Sequence, residues 1–235
     1  MTVAAVILAP TPESALADAD GSTGVRRIAD SAWAGGATPI VVVSFDPDGA
    51  VATALAGAPV TLAEPPPVET GTAEQIVRGA DVARSEVVET DAVLLWPARM
   101  AWVGPETVTS LIETHGTDGE AVLRPGWDGE PGWPALVPVR ALDDLRSGGS
   151  ERMPAEILDD LVAAGRRQRI LELGDPGAVL DVGTSRADLP AYVGPADPPA
   201  GHVHEWGAQA ADATDDGPLE GPALAPYAPA GAGED

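Results

Sequence analysis

Ala92-Val93-Leu94-Leu95-Trp96 is an apolar run of strand length with no polar position inside it. A strand with one wet face alternates, so an unbroken run of this kind predicts a central strand buried on both faces of a parallel sheet. Val3–Leu8 and Pro39–Phe45 read the same way. Between them Val25, Ile28, Ala29 and Ala32 fall at i, i+3, i+4 and i+7, one apolar helix face that Gly35-Gly36 ends and Ser22 or Thr23 can cap. A short helix around Val51–Leu55 and a strand at Val60–Leu62 follow, then the proline-fixed connector Glu64–Glu69. The next helix opens at Gly71-Thr72, with Ala73, Ile76, Val77 and Ala80 on one face, and leads into the central strand. Alternation of strand and helix gives an α/β fold, a mostly parallel sheet with right-handed crossovers and helices on both faces.

After the central strand, Gly104-Pro105-Glu106-Thr107 starts a helix whose face holds Val108, Leu111, Ile112 and His115. His115 reads as an ordinary polar residue near that helix's end. Ala121–Arg124 is a strand, and the hairpin-like loop Gly126–Pro134 returns through Ala135–Val137. Two helices are expected at Val139–Arg146 and Pro154–Ala164, then strands at Arg169–Leu173 and Ala178–Val182 around the turn Gly174–Gly177. From Pro195 the apolar period is lost, so residues 1–194 read as one domain. Residues 195–235 read as an acidic Pro/Ala/Gly-rich tail, disordered or draped.

The 235 residues carry 13 cations, all arginine, against 37 acids, a formal charge of −24. Counterion-release binding needs clustered cations, so no nucleic-acid partner is expected, and an anionic membrane surface would repel the chain. The cluster Arg166, Arg167 and Arg169 reads as a solvated helix end in a favourable dipole. Without cysteine there is no disulfide, thiolate metal site or cysteine nucleophile. Val3–Leu8 is too short for a signal-peptide core and no run reaches membrane-spanning length, so a cytoplasmic location is expected.

Open α/β sheets bind ligands outside the carboxyl ends of their strands. Here the central strand is followed by Pro97, Ala98, Arg99 and Met100, with no carboxylate, thiol or histidine. Trp96, Trp102, Trp127 and Trp133 all fall at this end of the sheet. They either cap the core or form an apolar surface suited to a protein partner or a flat ligand. His202, His204 and Glu205 stand close together, but a stable metal site needs three or four positioned ligands and this stretch positions little, so no metal is assigned.

Four patterns occur in the order of one known family. LLWPARMAWVGPETV is similar to that family's strand, loop and "TPET" helix start; DGEPGWPALVPVRAL to "GRRGHPVLF"; GDPGAVLDVGTSRADL to "DDPGVLLDVDTPEDL"; and GTAEQIVRGADVA to the helix before the central strand. The chain thus resembles the MobA-like nucleotidyltransferases, which include the molybdenum cofactor cytidylyl- and guanylyltransferases, over about Val3 to Tyr192. The resemblance implies a Rossmann-like fold shared with nucleotide-diphospho-sugar transferases. It also implies a glycine-rich basic loop for the triphosphate and two side chains holding a divalent cation.

The chain departs from the family at those places. The phosphate loop is replaced by LAPTPESALADADGSTG, in which Pro10 and Pro12 remove amide donors and Glu13, Asp18 and Asp20 repel phosphate. Arg26 and Arg27, the nearest cations, lie inside the next helix. Pro97 and Gly183 stand at the two metal positions, and Trp133 replaces the histidine of "GHP". The expectation is a binding or assembly/maturation factor with no catalytic residue and no cofactor, acting with a protein partner or a second copy. The ligand-pocket candidates are Pro10, Thr11, Gly71, Thr72, Trp96, Arg99, Trp102, Trp133 and Asp181. The alternative is an active transferase using Mg2+ with a nucleoside triphosphate on a molybdopterin-type or other small phosphorylated acceptor, with Asp91 and Asp181 the nearest carboxylates.

The composition of the tail generates a first prediction. A chain ending after Tyr192 is expected to unfold thermally at the same midpoint as the full chain, because residues 195–235 bury too little apolar surface to add to the core. A large drop in midpoint would show that the tail docks.

Overall fold

The computed structural model describes residues 2–67, 71–147 and 152–194. In chain order the elements are β1 (Thr2–Ala9), α1 (Pro12–Ala15), α2 (Gly24–Ala34), β2 (Ile40–Ser44), α3 (Ala50–Ala54), β3 (Thr61–Ala63), α4 (Gly71–Glu86) and β4 (Thr90–Pro97). Next come α5 (Pro105–Thr117), β5 (Val122–Trp127), β6 (Glu130–Pro131), β7 (Ala135–Pro138), α6 (Pro154–Ala163) and β8 (Gln168–Glu172), with a 3-10 helix at Val139–Ser147. The acidic tail and His202, His204 and Glu205 lie outside the described residues.

One sheet runs β3-β2-β1-β4-β7-β5, all parallel except β7, which is antiparallel to both neighbours. Gly126 of β5 pairs with Pro131 on one edge and Glu172 on the other, so the β6 hairpin and β8 flank β5 on opposite sides. The apolar runs place β1 and β4 at the centre, where Ala5 faces Ile40 on one side and Leu94 on the other.

Because side chains alternate along a strand, the unbroken runs feed two cores. Val3, Ala5, Ile7, Leu94 and Trp96 pack with α2 and α5 on one face. Ala4, Val6, Leu8, Val93 and Leu95 pack with α4 and α6 on the other. Helix α4 sits close on β1: a Cβ added at Gly79 would lie 2.3 Å from Val6 Cγ1, so the approach needs glycine there.

Three expectations are corrected. Ala178–Val182 is not a strand; a 3-10 turn at Pro176–Ala178 precedes a loop whose main-chain bonds go singly to other loops, Trp133 N–H to Ala178 O at 2.8 Å and Val182 N–H to Arg99 O at 2.9 Å. Arg166, Arg167 and Arg169 lie beyond the end of α6 and pair with acids: Arg166 with Asp144 at 2.8 Å, Arg167 and Arg169 with Asp118. Thr23 occupies the N-cap position of α2 but its hydroxyl makes no capping bond.

The loop after β8 is tied down by Asp175, a buried carboxylate only 3% exposed. It accepts from Gly104 N–H at 3.0 Å and Thr107 Oγ1–H at 2.6 Å, capping α5 from a distant segment, and from Gly177 N–H at 2.9 Å. Asp175→Ala strands these donors and is expected to cost roughly 2–4 kcal/mol, read by urea unfolding, with Asp175→Asn losing less. A loss under about 0.5 kcal/mol would show that water replaces the carboxylate freely.

Candidate ligand pocket

The carboxyl ends of β1 and β4 open into a cavity of about 460 Å3 whose lining is mainly apolar. Leu8 and Pro10 come from the end of β1, Pro97, Ala98, Arg99 and Met100 from the end of β4, and Trp133 from the β6–β7 loop. Met153 and Pro154 close it at the start of α6, while Thr72 and Gln75 line it from the first turns of α4 and Ser14 from α1. Asp181 comes from the loop after β8. The cavity therefore brings together Pro10, Thr72, Arg99, Trp133 and Asp181 of the sequence candidates.

The other four stand elsewhere. Thr11 is used locally as the cap of α1, its Oγ1 accepting from Ser14 N–H at 3.2 Å. Gly71 opens α4 with φ +83°, a left-handed conformation that suits glycine. Trp96 is a correction: it is fully buried in the core, its indole N–H donating to Met100 O at 2.8 Å, because the last residues of a doubly buried strand still alternate between the two cores. Trp102 points to a separate groove of about 350 Å3. Its indole N–H donates to Asp181 O at 3.0 Å and Thr184 O at 3.1 Å, and Arg27 lies 5.2 Å over its ring. Sequence reading placed Pro97, Ala98 and Met100 at this end of the sheet without listing them as pocket candidates, and missed Leu8, Ser14, Gln75, Met153 and Pro154. Gln75 follows Thr72 at i+3 on α4, a spacing that puts both on one helix face and could have found it.

Trp133 is held by Arg124. That guanidinium, buried beside the hairpin, lies 5.3 Å over the Trp133 ring and donates to Gly132 O at 3.0 Å and Pro131 O at 2.9 Å. Burial pushes the Arg124 pKa down, but arginine stays charged far above neutral pH, so the cation–π contact persists.

At the polar end of the cavity Arg99 Nε donates to Asp181 Oδ2 at 2.7 Å, with the side chains 52% and 35% exposed. The other oxygen, Oδ1, accepts from Gly183 N–H at 2.7 Å. The divalent cation implied by the family resemblance does not fit these residues: among the described residues Asp181 is the one carboxylate lining the cavity, and both its oxygens are engaged. Pro97 and Gly183 offer no side-chain oxygen. Among the described residues no three His, Asp or Glu side chains converge closely enough to hold a metal ion.

Asp91, the other carboxylate considered, begins β4 and so lies at the amino end of the sheet, about 20 Å of strand from Arg99. There it lines a cavity of about 520 Å3 with His115 and Arg140. His115, on the apolar face of α5 with Val108 and Leu111, is buried at 4% exposure. Its Nε2 lies 3.8 Å from Asp91 Oδ1, and burial pushes its pKa down despite that carboxylate. Among the described residues no helix is long and apolar enough to cross a membrane.

No curated protein matches the chain. Solved structures do. The nucleotidyl transferase Mth528 from Methanothermobacter thermautotroptrophicus is 21% identical with a TM-score of 0.58, over 71% of this chain and 85% of its own. Rv0371c from Mycobacterium tuberculosis H37Rv is 18% identical with a TM-score of 0.59, over 80% and 96%. The 2-C-methyl-D-erythritol 4-phosphate cytidylyltransferase from Thermus thermophilus is 16% identical with a TM-score of 0.57, over 80% and 95%. At these identities they show a shared fold. The family model for the MobA-like NTP transferase domain matches residues 13–167, well over half of the chain, and the chain belongs to that family.

Proposed function

We propose that this chain is a non-catalytic member of its family, a binding or assembly/maturation factor whose pocket takes an apolar group of a small molecule or a protein partner. The observation that carries this reading is the lining of the cavity: Leu8, Pro10, Pro97, Met100, Trp133 and Met153 wall it, and the carboxylate of Asp181 is neutralised by Arg99. An apolar wall favours desolvated carbon and penalises a polyphosphate, which needs amides, cations or a metal. A nucleoside triphosphate brings about four negative charges, and the chain already carries −24.

A second reading, active transfer of a nucleotide with a divalent cation to a molybdopterin-type or other small phosphorylated acceptor, draws on two facts. Asp181 lines the cavity, and Rv0371c has been solved in complex with manganese, at 17% identity to this chain. On that reading Asp181 must first be released from Arg99.

The readings separate in one experiment. Calorimetry with magnesium and cytidine or guanosine triphosphate is expected to show no tight binding, and a pyrophosphate assay with a pterin acceptor no turnover. Micromolar binding, or turnover abolished by Asp181→Ala, would establish the second reading. Arg99→Ala is expected to change stability by less than about 1 kcal/mol, since the ion pair is substantially exposed and screened by solvent. It leaves Asp181 unpaired and still without nucleotide binding if the first reading holds.

A further inference from the structure

Among the described residues the sheet ends at β8, and no strand covers that edge. Val122 N–H donates to Arg167 O at 2.9 Å and Leu173 N–H to Gly126 O at 3.2 Å, so the odd-numbered residues from 167 to 173 turn their main-chain groups toward β5. The main-chain groups of one strand residue point to one side and alternate along the chain, so those of Gln168, Ile170 and Glu172 point away from the sheet. Among the described residues no strand pairs with them. Arg169, Ile170 and Glu172 are exposed, Ile170 at 43%. Open edges are blunted by proline, charges, shortness or a bulge; QRILE has no proline, lysine or bulge, and its two charges, Arg169 and Glu172, are of opposite sign.

We propose that β8 is a dimerisation edge, on which a second copy of this chain pairs antiparallel about a two-fold axis at Ile170. The strand is self-complementary in that register. An axis normal to the sheet keeps every side chain on its own face, so one residue must face its own copy. With Ile170 at the axis, Ile170 meets Ile170 and Gln168 meets Glu172 of the second copy, in both directions. All three outward-pointing positions then exchange paired main-chain hydrogen bonds. Shifting the axis to Arg169 or Leu171 leaves only two such positions paired within β8 and sets Ile170 against Gln168 or Glu172.

Charge favours the same edge. Two copies at −24 repel each other over most of their surfaces. Arg166, Arg167 and Arg169 gather beside β8 against two pairing acids, Asp144 and Asp118. In the register centred on Ile170, Glu172 faces a neutral amide and Arg169 faces Leu171, so no like charges stand opposite each other.

The chain has no cysteine, which makes the test clean. A hydrogen-bonded antiparallel pair holds its Cα atoms about 5.5 Å apart, within disulfide range. Under mild oxidation Ile170→Cys is expected to give a cross-linked dimer at least about tenfold faster than Val88→Cys, because pairing confines the two thiols. Val88 is 78% exposed in the turn before β4. Light scattering is expected to give twice the chain mass for the unmodified protein. Ile170→Pro, which removes an outward N–H and no bond to β5, is expected to give the single mass while staying folded, with a cooperative unfolding midpoint that no longer depends on protein concentration. An unmodified protein that stays monomeric up to its solubility limit would overturn the proposal. So would a folded Ile170→Pro dimer, or equal cross-linking rates; if Ile170→Pro fails to fold, the cross-linking comparison decides alone.

Discussion

A buried carboxylate left without donors costs several kcal/mol, and Asp175 escapes that cost by joining three parts of the chain. It binds the first turn of α5, the Gly104 amide before it, and the turn that follows β8. The loop from Asp175 to Thr184 is thereby fixed beside the loop after β4, and further bonds register the two: Val182 N–H to Arg99 O, and Trp102 Nε1–H to Asp181 O. Only with that loop in place does Asp181 reach Arg99. The polar end of the pocket thus depends on a carboxylate that does not line it.

The apolar end has its own support. Arg124 commits its guanidinium to hairpin carbonyls and to the face of Trp133, so a cation inside the protein holds the wall of a cavity instead of addressing a ligand. With no lysine in the chain, every cationic side chain other than histidine is a planar guanidinium. Most of those described are committed to acids or carbonyls of the same protein. This distribution suits a fold that has exchanged phosphate chemistry for apolar contact, the reading proposed above.

The sheet was legible in the sequence because burial on both faces leaves the runs Val3–Ala9, Ala92–Trp96 and Ile40–Val43, the hearts of β1, β4 and β2, without a polar residue. The helices α2, α4 and α5 were legible from apolar spacing. What was not legible depended on distant partners. Ala178–Val182 has the composition of a strand, but a strand needs a free neighbouring edge, and the turn at Pro176 sends the segment across the ends of strands instead. His115 was legible as part of the apolar face of α5, but its neighbours Asp91 and Arg140, which line a cavity with it, are remote in sequence. Trp96 looked like a rim residue because one-dimensional reading cannot say on which residue a buried strand emerges. The pocket residues Pro10, Arg99 and Trp133 were found through the ends of strands and through resemblance; Met153 and Pro154 arrive from a helix that carries no such signal.

The place of β1 at the middle of the sheet has a consequence for how the protein is made. It leaves the ribosome before the other strands of this sheet, yet Ala5 must wait for Ile40 to satisfy one edge and for Leu94 to satisfy the other. During synthesis a strand that is apolar from Val3 to Ala9 therefore keeps one edge open while about ninety residues are added, and distant pairings of this kind form slowly. The helices α2 and α4 emerge in the interval and can cover both faces of β1 before its second edge is filled. The order of elements along the chain thus shields the faces early, while the hydrogen-bonding edge toward β4 stays exposed to any neighbouring nascent chain until Pro97 has been made.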